Sequence, residues 1–268
     1  MKPTVLFVLL FVFAVFGLNC CKPLSEEMQG VCASLKFNSS GTFRIAQFTD
    51  IHWDPASENN HKTLEIIRLV LEEEKPDLVI YTGDVVTNGP SLKGWLDVTK
   101  PLIDSGIPWA VTLGNHDDEA EVTRKQIFEL LVTLPGFAGI EGPSDIPGTG
   151  NYVLPVLSSS SDKTAALIWC FDSHGYPEVK SHGDYDWIKF DQIAWYRNLS
   201  RYFSNANNRQ ALPALAYFHI PLPEYKEVAQ LEGTVGRFEE KVCSPDINSG
   251  LFAAFLEMGD VMGVFVGH

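Results

Sequence analysis

Five apolar segments of the sequence are each followed by side chains that can bind a metal ion. These side chains belong to Asp50, His52, Asp84, Asn115, His116, His219 and His268. In open α/β sheets, ligands bind beyond the carboxyl ends of the strands, so the five segment ends are expected to meet at one crevice. Carboxylate, imidazole and amide ligands suit Mn, Fe or Zn better than they suit a thiolate-type site. The pattern therefore predicts a metal centre without cysteine ligands.

The most specific of these patterns is Gly114-Asn-His-Asp117. Such a tetrapeptide is expected by chance in roughly one chain per thousand of this length, whereas Asp-x-His and Gly-Asp occur in about every one to a few chains. Taken alone, Asp50, His52 and Asp84 fit turn or helix-cap residues equally well. Because all five patterns follow a predicted strand, we favour one shared site.

The elements that must position these residues alternate between strand and helix at short spacing. Apolar runs predict strands at residues 43–48, 77–81, 109–113, 151–156, 165–171, 214–218 and 261–266. Apolar residues at helical spacing predict helices at residues 63–74, 91–103, 119–131 and 186–203. This alternation, without an internal repeat, is typical of an α/β sandwich in one domain.

Composition and charge are those of a globular chain. The 268 residues include 20 basic and 34 acidic side chains, which gives a formal net charge of −14. Nucleic-acid backbones are held by clusters of Lys and Arg, and no basic run longer than a pair occurs. We therefore expect no nucleic-acid partner.

Residues 1–20 are predicted to be a secretory signal peptide, and residues 21–42 a lead-in to the domain. Lys2 precedes an apolar run from Val5 to Leu18, which is shorter than the roughly 20 residues that span a bilayer. A short uncleaved anchor is the alternative. With the signal removed, we expect no transmembrane segment and a protein that is secreted or lies in the endomembrane lumen, such as a vacuole or lysosome.

Glycosylation sequons and cysteines agree with that compartment. Asn38-Ser-Ser and Asn198-Leu-Ser are N-glycosylation sequons. The five cysteines are too few for a disulfide scaffold, although one bridge, for example between Cys32 and Cys243, is compatible with the sequence. Cys170 lies in an apolar strand and is predicted to be a buried thiol.

In this order, the motifs resemble those of the calcineurin-like metallophosphoesterases, which include the purple acid phosphatases. They read Asp50-Ile-His52, Gly83-Asp84, Gly114-Asn-His-Asp117, Phe218-His219-Ile-Pro221 and Gly267-His268. The resemblance covers residues 43–268, and it implies a four-layer α/β/β/α sandwich. Gly148-Thr-Gly-Asn-Tyr152 and Tyr185-Asp-Trp-Ile188 resemble a narrower subgroup of fungal phosphatases and plant purple-acid-phosphatase-like proteins.

The resemblance implies a phosphomonoesterase with two divalent or mixed-valence metal ions of Mn, Fe or Zn, bridged by Asp84. The remaining ligands would be Asp50 and His52 for the first ion and Asn115, His219 and His268 for the second. Two such ions clamp the phosphoryl oxygens and acidify a water that attacks phosphorus in line. The expected partner is a small phosphorylated substrate or a phosphoprotein.

The resemblance also assigns catalytic roles to two neighbouring residues. His116 would stay off the metals, close to the leaving oxygen, as a general acid or as a hydrogen-bond donor in the transition state. Asp117 would hold that imidazole protonated and oriented.

Two features depart from the family pattern. Purple acid phosphatases carry a Tyr three positions after the bridging Asp, and Thr87 occupies that position here, so a purple ferric site is not expected. The last family motif contains a second His two residues after the first, whereas this sequence stops at His268. We therefore expect a domain cut after the first His of that motif, with an incomplete second sheet. The alternatives are a catalytically impaired or inactive secreted glycoprotein with the same fold, and a phosphodiesterase of the same superfamily.

Overall fold

The computed structural model describes residues 35–268 with the exception of Phe238. The predicted signal peptide, most of the lead-in segment and Cys32 lie outside the described residues. The strands are β1 (Ile45–Phe48), β2 (Leu78–Thr82), β3 (Trp109–Thr112), β4 (Tyr152–Leu157), β5 (Thr164–Cys170), β6 (Ala214–Tyr217) and β7 (Val261–Phe265). The helices are α1 (Asn60–Glu74), α2 (Ser91–Ser105), α3 (Arg124–Leu131), α4 (Phe190–Ala206), α5 (Tyr225–Val228) and α6 (Leu251–Met258), with a short 3-10 turn at Lys180–His182.

The first sheet contains β1, β2 and β3 in that order, and its strands run parallel. Strand β2 is buried at every position, which explains the unbroken apolar run in its sequence. Helix α1 packs on β1 and on α2, and α2 in turn contacts α3. Helix α1 ends where Lys75 adopts a left-handed conformation directly before Pro76.

The second sheet has the order β4-β5-β6-β7, with β4 antiparallel to β5 and the other pairs parallel. Its outer face is covered by α4 and α6 through a cluster of aromatic rings. Trp169 of β5 packs edge-to-face on Tyr196 of α4, with centroids 5.0 Å apart, and Tyr196 packs on Phe255 of α6 at 5.2 Å. These contacts bury the apolar faces of both helices against the sheet.

A second core lies between the two sheets. Along β5, Ile168 and Cys170 belong to this inner core, whereas Trp169 belongs to the outer one, as the alternation of a strand requires. The Tyr152 hydroxyl of β4 accepts the Val111 N–H of β3 at 3.0 Å and donates to the Val111 carbonyl at 2.7 Å. The layers therefore run helix, sheet, sheet, helix, and the predicted four-layer α/β/β/α sandwich is confirmed.

Cys170 is buried as predicted, and burial raises the pKa of its thiol to about 12.

Helix boundaries differ from the prediction by two to five residues, and the largest differences are at α3 and α4. Helix α3 begins five residues later than expected because Thr123 and Gln126 form a capping box that fixes its first turn at Arg124. The segment before it is therefore a loop, and this loop carries the Gly-Asn-His-Asp motif. Helix α4 covers Phe190–Ala206 rather than residues 186–203, and neither α5 nor α6 was predicted.

Both sequon asparagines are accessible. Asn38 lies in a turn and Asn198 on α4, and each is exposed. None of the helices within residues 35–268 is both long and apolar enough to cross a bilayer.

Candidate metal centre

The carboxyl ends of strands from both sheets meet at one edge of the molecule. The ligand atoms of Asp50, His52 and Asp84 all lie within 4.8 Å of one another, and so do those of Asp84, His219 and His268. Asp84 belongs to both groups. A carboxylate shared in this way is what two bridged metal ions require.

The two oxygens of the Asp84 carboxylate face different partners. Oδ1 accepts the backbone N–H of His116 at 2.9 Å, and Oδ2 lies 3.7 Å from Nε2 of His52 and 3.2 Å from Nε2 of His219. Burial alone would raise the pKa of Asp84, but His219 and His116 outweigh burial and hold the pKa below its usual value. Asp84 is therefore a charged carboxylate that is 2% exposed.

Three buried atoms at this edge have no hydrogen-bond partner within the described part of the chain. They are Oδ1 of Asn115, Nε2 of His219 and Nε2 of His268. The far side of the His219 ring is fixed, because Nδ1–H donates to the Thr82 carbonyl at 2.8 Å, and its Nε2 therefore points at Asp84. Buried polar atoms without a partner are rare and costly. Cations bound at this edge would supply the missing partners, so these side chains fit metal ligands.

His219 and His268 differ in protonation. Burial lowers the pKa of His268 to about 4, which keeps its imidazole in the neutral form that a metal ion needs. Burial would also lower the pKa of His219, but Asp84 outweighs burial and raises it. A proton and a metal ion therefore compete for Nε2 of His219.

Four of these ligands have left-handed backbone conformations. The φ angle is +51° at Asp50, +48° at His52, +50° at Asp84 and +74° at His268. Such angles are uncommon for residues other than glycine, and they concentrate at functional sites where the surrounding structure imposes them. Here, the N–H of Asp50 is held by the Gly83 carbonyl at 3.1 Å, and the N–H of His52 by the Asp84 carbonyl at 2.9 Å.

The glycines of two motifs lie where any side chain would collide with a ligand. A Cβ on Gly83 would lie 2.4 Å from Nδ1 of His219, and a Cβ on Gly114 would lie 2.2 Å from Oδ1 of Asp84. The motifs therefore need glycine because their backbones approach the site so closely.

The imidazole of His116 faces the same cleft and is oriented by Glu119. Nδ1 of His116 lies 2.5 Å from Oε2 of Glu119, which leaves Nε2 free. The prediction that Asp117 orients this imidazole is wrong, since its carboxylate is used elsewhere. Glu119 was not identified from the sequence. It lies three residues after His116, and a single turn of the backbone brings side chains at that spacing into contact.

Asp117 ties two loops together beneath the ligands. Its Oδ1 accepts the N–H groups of Val85 and Val86 at 2.8 and 2.9 Å, and its Oδ2 accepts that of Gly114 at 2.7 Å. Burial raises the pKa of Asp117 to about 6, against the lowering effect of these N–H donors. Asp117 thus fixes the loop after β2 to the loop after β3.

A buried ion pair supports the same loop from the other side. Arg124 at the start of α3 donates to the Gly114 carbonyl at 2.7 Å and to Oδ1 of Asp172 at 3.2 Å. Asp172 is completely buried and also accepts the N–H groups of Thr149 and His174 at 2.7 and 2.8 Å. Burial would raise the pKa of Asp172, but Arg124 holds it below its usual value.

Replacing Asp172 with Asn is expected to cost about 3 kcal/mol in the free energy of unfolding at pH 7, because buried Arg124 would lose one of its two carboxylate partners and keep only Asp118 at 3.5 Å. A carboxylate with a lowered pKa in the folded state contributes stability above its unfolded pKa and loses that contribution as the pH falls. The difference between the two proteins should therefore shrink below about pH 4. Urea denaturation at pH 7 and pH 3.5 measures it, and a difference that is independent of pH would contradict the assignment.

An open cleft of about 780 Å³ leads to this centre. Its walls include Tyr185, Pro221, Tyr225, Arg237 and residues 239–243. The volume is in the range of small-molecule sites, and the ligand groups form its floor.

Comparison with known proteins identifies the family. The model of the calcineurin-like phosphoesterase family matches residues 43–268. "Probable inactive purple acid phosphatase 14" of Arabidopsis thaliana is 33% identical, over 87% of this chain and 67% of that protein. "Probable inactive purple acid phosphatase 29" of the same plant is 32% identical, over 98% of this chain and 75% of that protein. "Phosphatase DCR2" of Saccharomyces cerevisiae is 32% identical, over 80% of this chain and 42% of that protein. With its strand-end ligands gathered around a shared aspartate, the chain is a member of the calcineurin-like phosphoesterase family.

Proposed function

We propose that the protein is a metal-dependent hydrolase of phosphomonoesters. The observation that supports this most is the placement of Asp84 in two ligand groups, with the imidazole of His116 beside them on the floor of the open cleft. A phosphoryl group bound at this floor would contact both metal-ligand groups and the imidazole of His116.

The side chains of the centre suit Mn, Fe or Zn, because all of the donor atoms are carboxylate, imidazole or amide atoms. The first ion would be held by Asp50, His52 and Asp84, and the second by Asp84, Asn115, His219 and His268. When bound, such a pair of ions supplies Lewis acidity toward phosphoryl oxygens and lowers the pKa of water.

His116 supplies the proton that the leaving oxygen needs. Its Nδ1–H is held by Glu119, so Nε2 is directed into the cleft. A proton on Nε2 can pass to the leaving oxygen as the bond to phosphorus breaks, which is the role of a general acid. Glu119 keeps the ring in the orientation that this transfer requires.

A monoester is favoured over a nucleic-acid diester by the charge of the chain. The net charge of −14 repels an extended polyanion. Arg237 and Lys241 are cationic residues of the cleft wall, and Glu239 and Glu240 line the same wall. The wall thus offers no continuous basic track for a phosphate backbone.

The expected result is faster hydrolysis of 4-nitrophenyl phosphate than of bis(4-nitrophenyl) phosphate when Mn²⁺ or Zn²⁺ is supplied. Values of kcat/KM for the two substrates give the comparison under identical conditions. Faster hydrolysis of the diester would overturn the assignment of substrate class, and hydrolysis of neither would favour the second candidate function.

That second candidate is a non-catalytic protein that retains the phosphoesterase fold. One structural observation favours it. Within the described residues the first ion would have three ligand side chains, whereas the second ion would have four. Two of the plant relatives described above carry the words "probable inactive" in their names. A chain that binds both ions tightly and hydrolyses the monoester would exclude this candidate.

We further propose that the protein is secreted or lumenal and carries glycans at Asn38 and Asn198. The exposure of both asparagine side chains supports this proposal.

A further inference from the structure

The amide of Asn115 can serve as a metal ligand only in one of its two orientations. A cation needs the oxygen of the amide, so the nitrogen must point away from the site. Asn115 is 2% exposed, and its Oδ1 has no hydrogen-bond partner within the described residues. Whatever holds Nδ2 therefore decides whether this residue can bind a metal ion.

Tyr176 is the group that holds Nδ2. Nδ2 of Asn115 donates to the phenolic oxygen of Tyr176 at 3.0 Å. Tyr176 lies in the loop after β5, so it belongs to the second sheet, whereas Asn115 follows β3 in the first. The contact therefore depends on the packing of the two sheets.

The chemistry of the amide fixes the direction of this hydrogen bond. An amide NH₂ group can only donate, so the phenolic oxygen of Tyr176 accepts from Nδ2 of Asn115. With Nδ2 held in this way, Oδ1 is the amide atom left to face a cation.

The ring of Tyr176 is held in place even though the side chain is half exposed. It stacks on Tyr185 with centroids 6.2 Å apart and an interplanar angle of 28°, and it meets the His116 ring edge-on at 6.5 Å. A tyrosine that is 49% exposed contributes little to a core. The ring contacts hold the phenol at the site, and its hydroxyl is the group that reaches Asn115.

We propose that Tyr176 is a positioning residue whose hydroxyl orients the Asn115 amide, so that Oδ1 faces the second metal ion. The inference rests on the proposed function only in requiring that the centre binds metal ions. It adds a positioning residue from the loop after β5 to a site whose ligands come from the strand ends. Removal of the hydroxyl frees the amide to turn its NH₂ group toward the cation.

The test measures Mn²⁺ binding to the metal-stripped protein by isothermal titration calorimetry. Tyr176→Phe keeps the ring and removes the hydroxyl, and it should weaken the second binding event by about 10- to 100-fold, the usual effect of losing a partner that orients a ligand. The first binding event should stay unchanged. Tyr202→Phe is the matched control, since it removes an exposed hydroxyl on α4, outside the cleft, and should leave both affinities as they are.

A double-mutant cycle separates orientation from general support. In an Asn115→Asp background the ligand has two equivalent oxygens and needs no orientation, so Tyr176→Phe should then have little further effect on the second ion. An equal loss in both backgrounds, or wild-type binding by Tyr176→Phe, would overturn the inference. Wild-type protein that binds two ions without hydrolysing phosphomonoesters would refute the proposed function and leave this inference standing.

Discussion

Replacing Asp84 with Asn should reduce kcat/KM for 4-nitrophenyl phosphate by about 1,000-fold or more. Asp84 contributes to both ligand groups, so the substitution removes a negative charge that two cations would share. Loss of the several kcal/mol that bound metal ions contribute to phosphoryl transfer corresponds to a rate loss of this size. The amide is nearly the same size as the carboxylate, and its oxygen can still accept the N–H of His116. The fold should therefore survive, and steady-state kinetics measure the chemical effect.

The matched control is Asp104→Asn, the same substitution on the exposed face of α2, where Asp104 pairs with Lys100. It should leave kcat/KM unchanged. If Asp84→Asn retains wild-type activity while both variants show the same thermal unfolding, Asp84 is not the shared ligand.

Replacing His116 with Ala should reduce kcat by about 100- to 10,000-fold for a substrate with a poor leaving group. A general acid matters most where the leaving oxygen is strongly basic, as in an alkyl phosphate. The loss should be much smaller for 4-nitrophenyl phosphate, because nitrophenolate departs without a proton. This dependence on the leaving group distinguishes proton donation from a general role in binding the phosphoryl group.

Two further variants make the His116 result specific. His61→Ala removes an exposed imidazole at the start of α1 and should have no effect on either substrate. Glu119→Gln should follow the pattern of His116→Ala with a smaller loss, because Gln can still contact Nδ1 but carries no charge. Equal losses for alkyl and nitrophenyl phosphate in His116→Ala would contradict the general-acid role.

The gathering of the ligands could be predicted from the sequence because it depends on strand order. Asp50, Asp84 and Asn115 follow three strands that each read as a short apolar run. In a parallel sheet such strands bring their carboxyl ends to the same edge. The alternation of strand and helix predicted an α/β sandwich, and its four layers were what the resemblance to the family implied.

The contacts that orient those ligands could not be predicted, because they join distant loops. Tyr176 reaches Asn115 across the interface between the sheets, and Arg124 reaches Asp172 from the start of α3. Sequence spacing carries no signal for either pair.

The error about Asp117 has a related cause. Asp117 follows His116 directly, yet in this tight loop the two side chains point to different sides, one to backbone N–H groups and the other to Glu119. Adjacency in sequence was a poor guide to contact there.

The central claim is that this chain assembles a dinuclear metal centre on Asp84. The most direct measurement is the metal content of purified protein after incubation with Mn²⁺ or Zn²⁺ and removal of the excess, determined by inductively coupled plasma mass spectrometry. We predict two ions per wild-type chain and fewer than one per Asp84→Asn chain. One ion or none in the wild-type protein, or two in the variant, would contradict the claim.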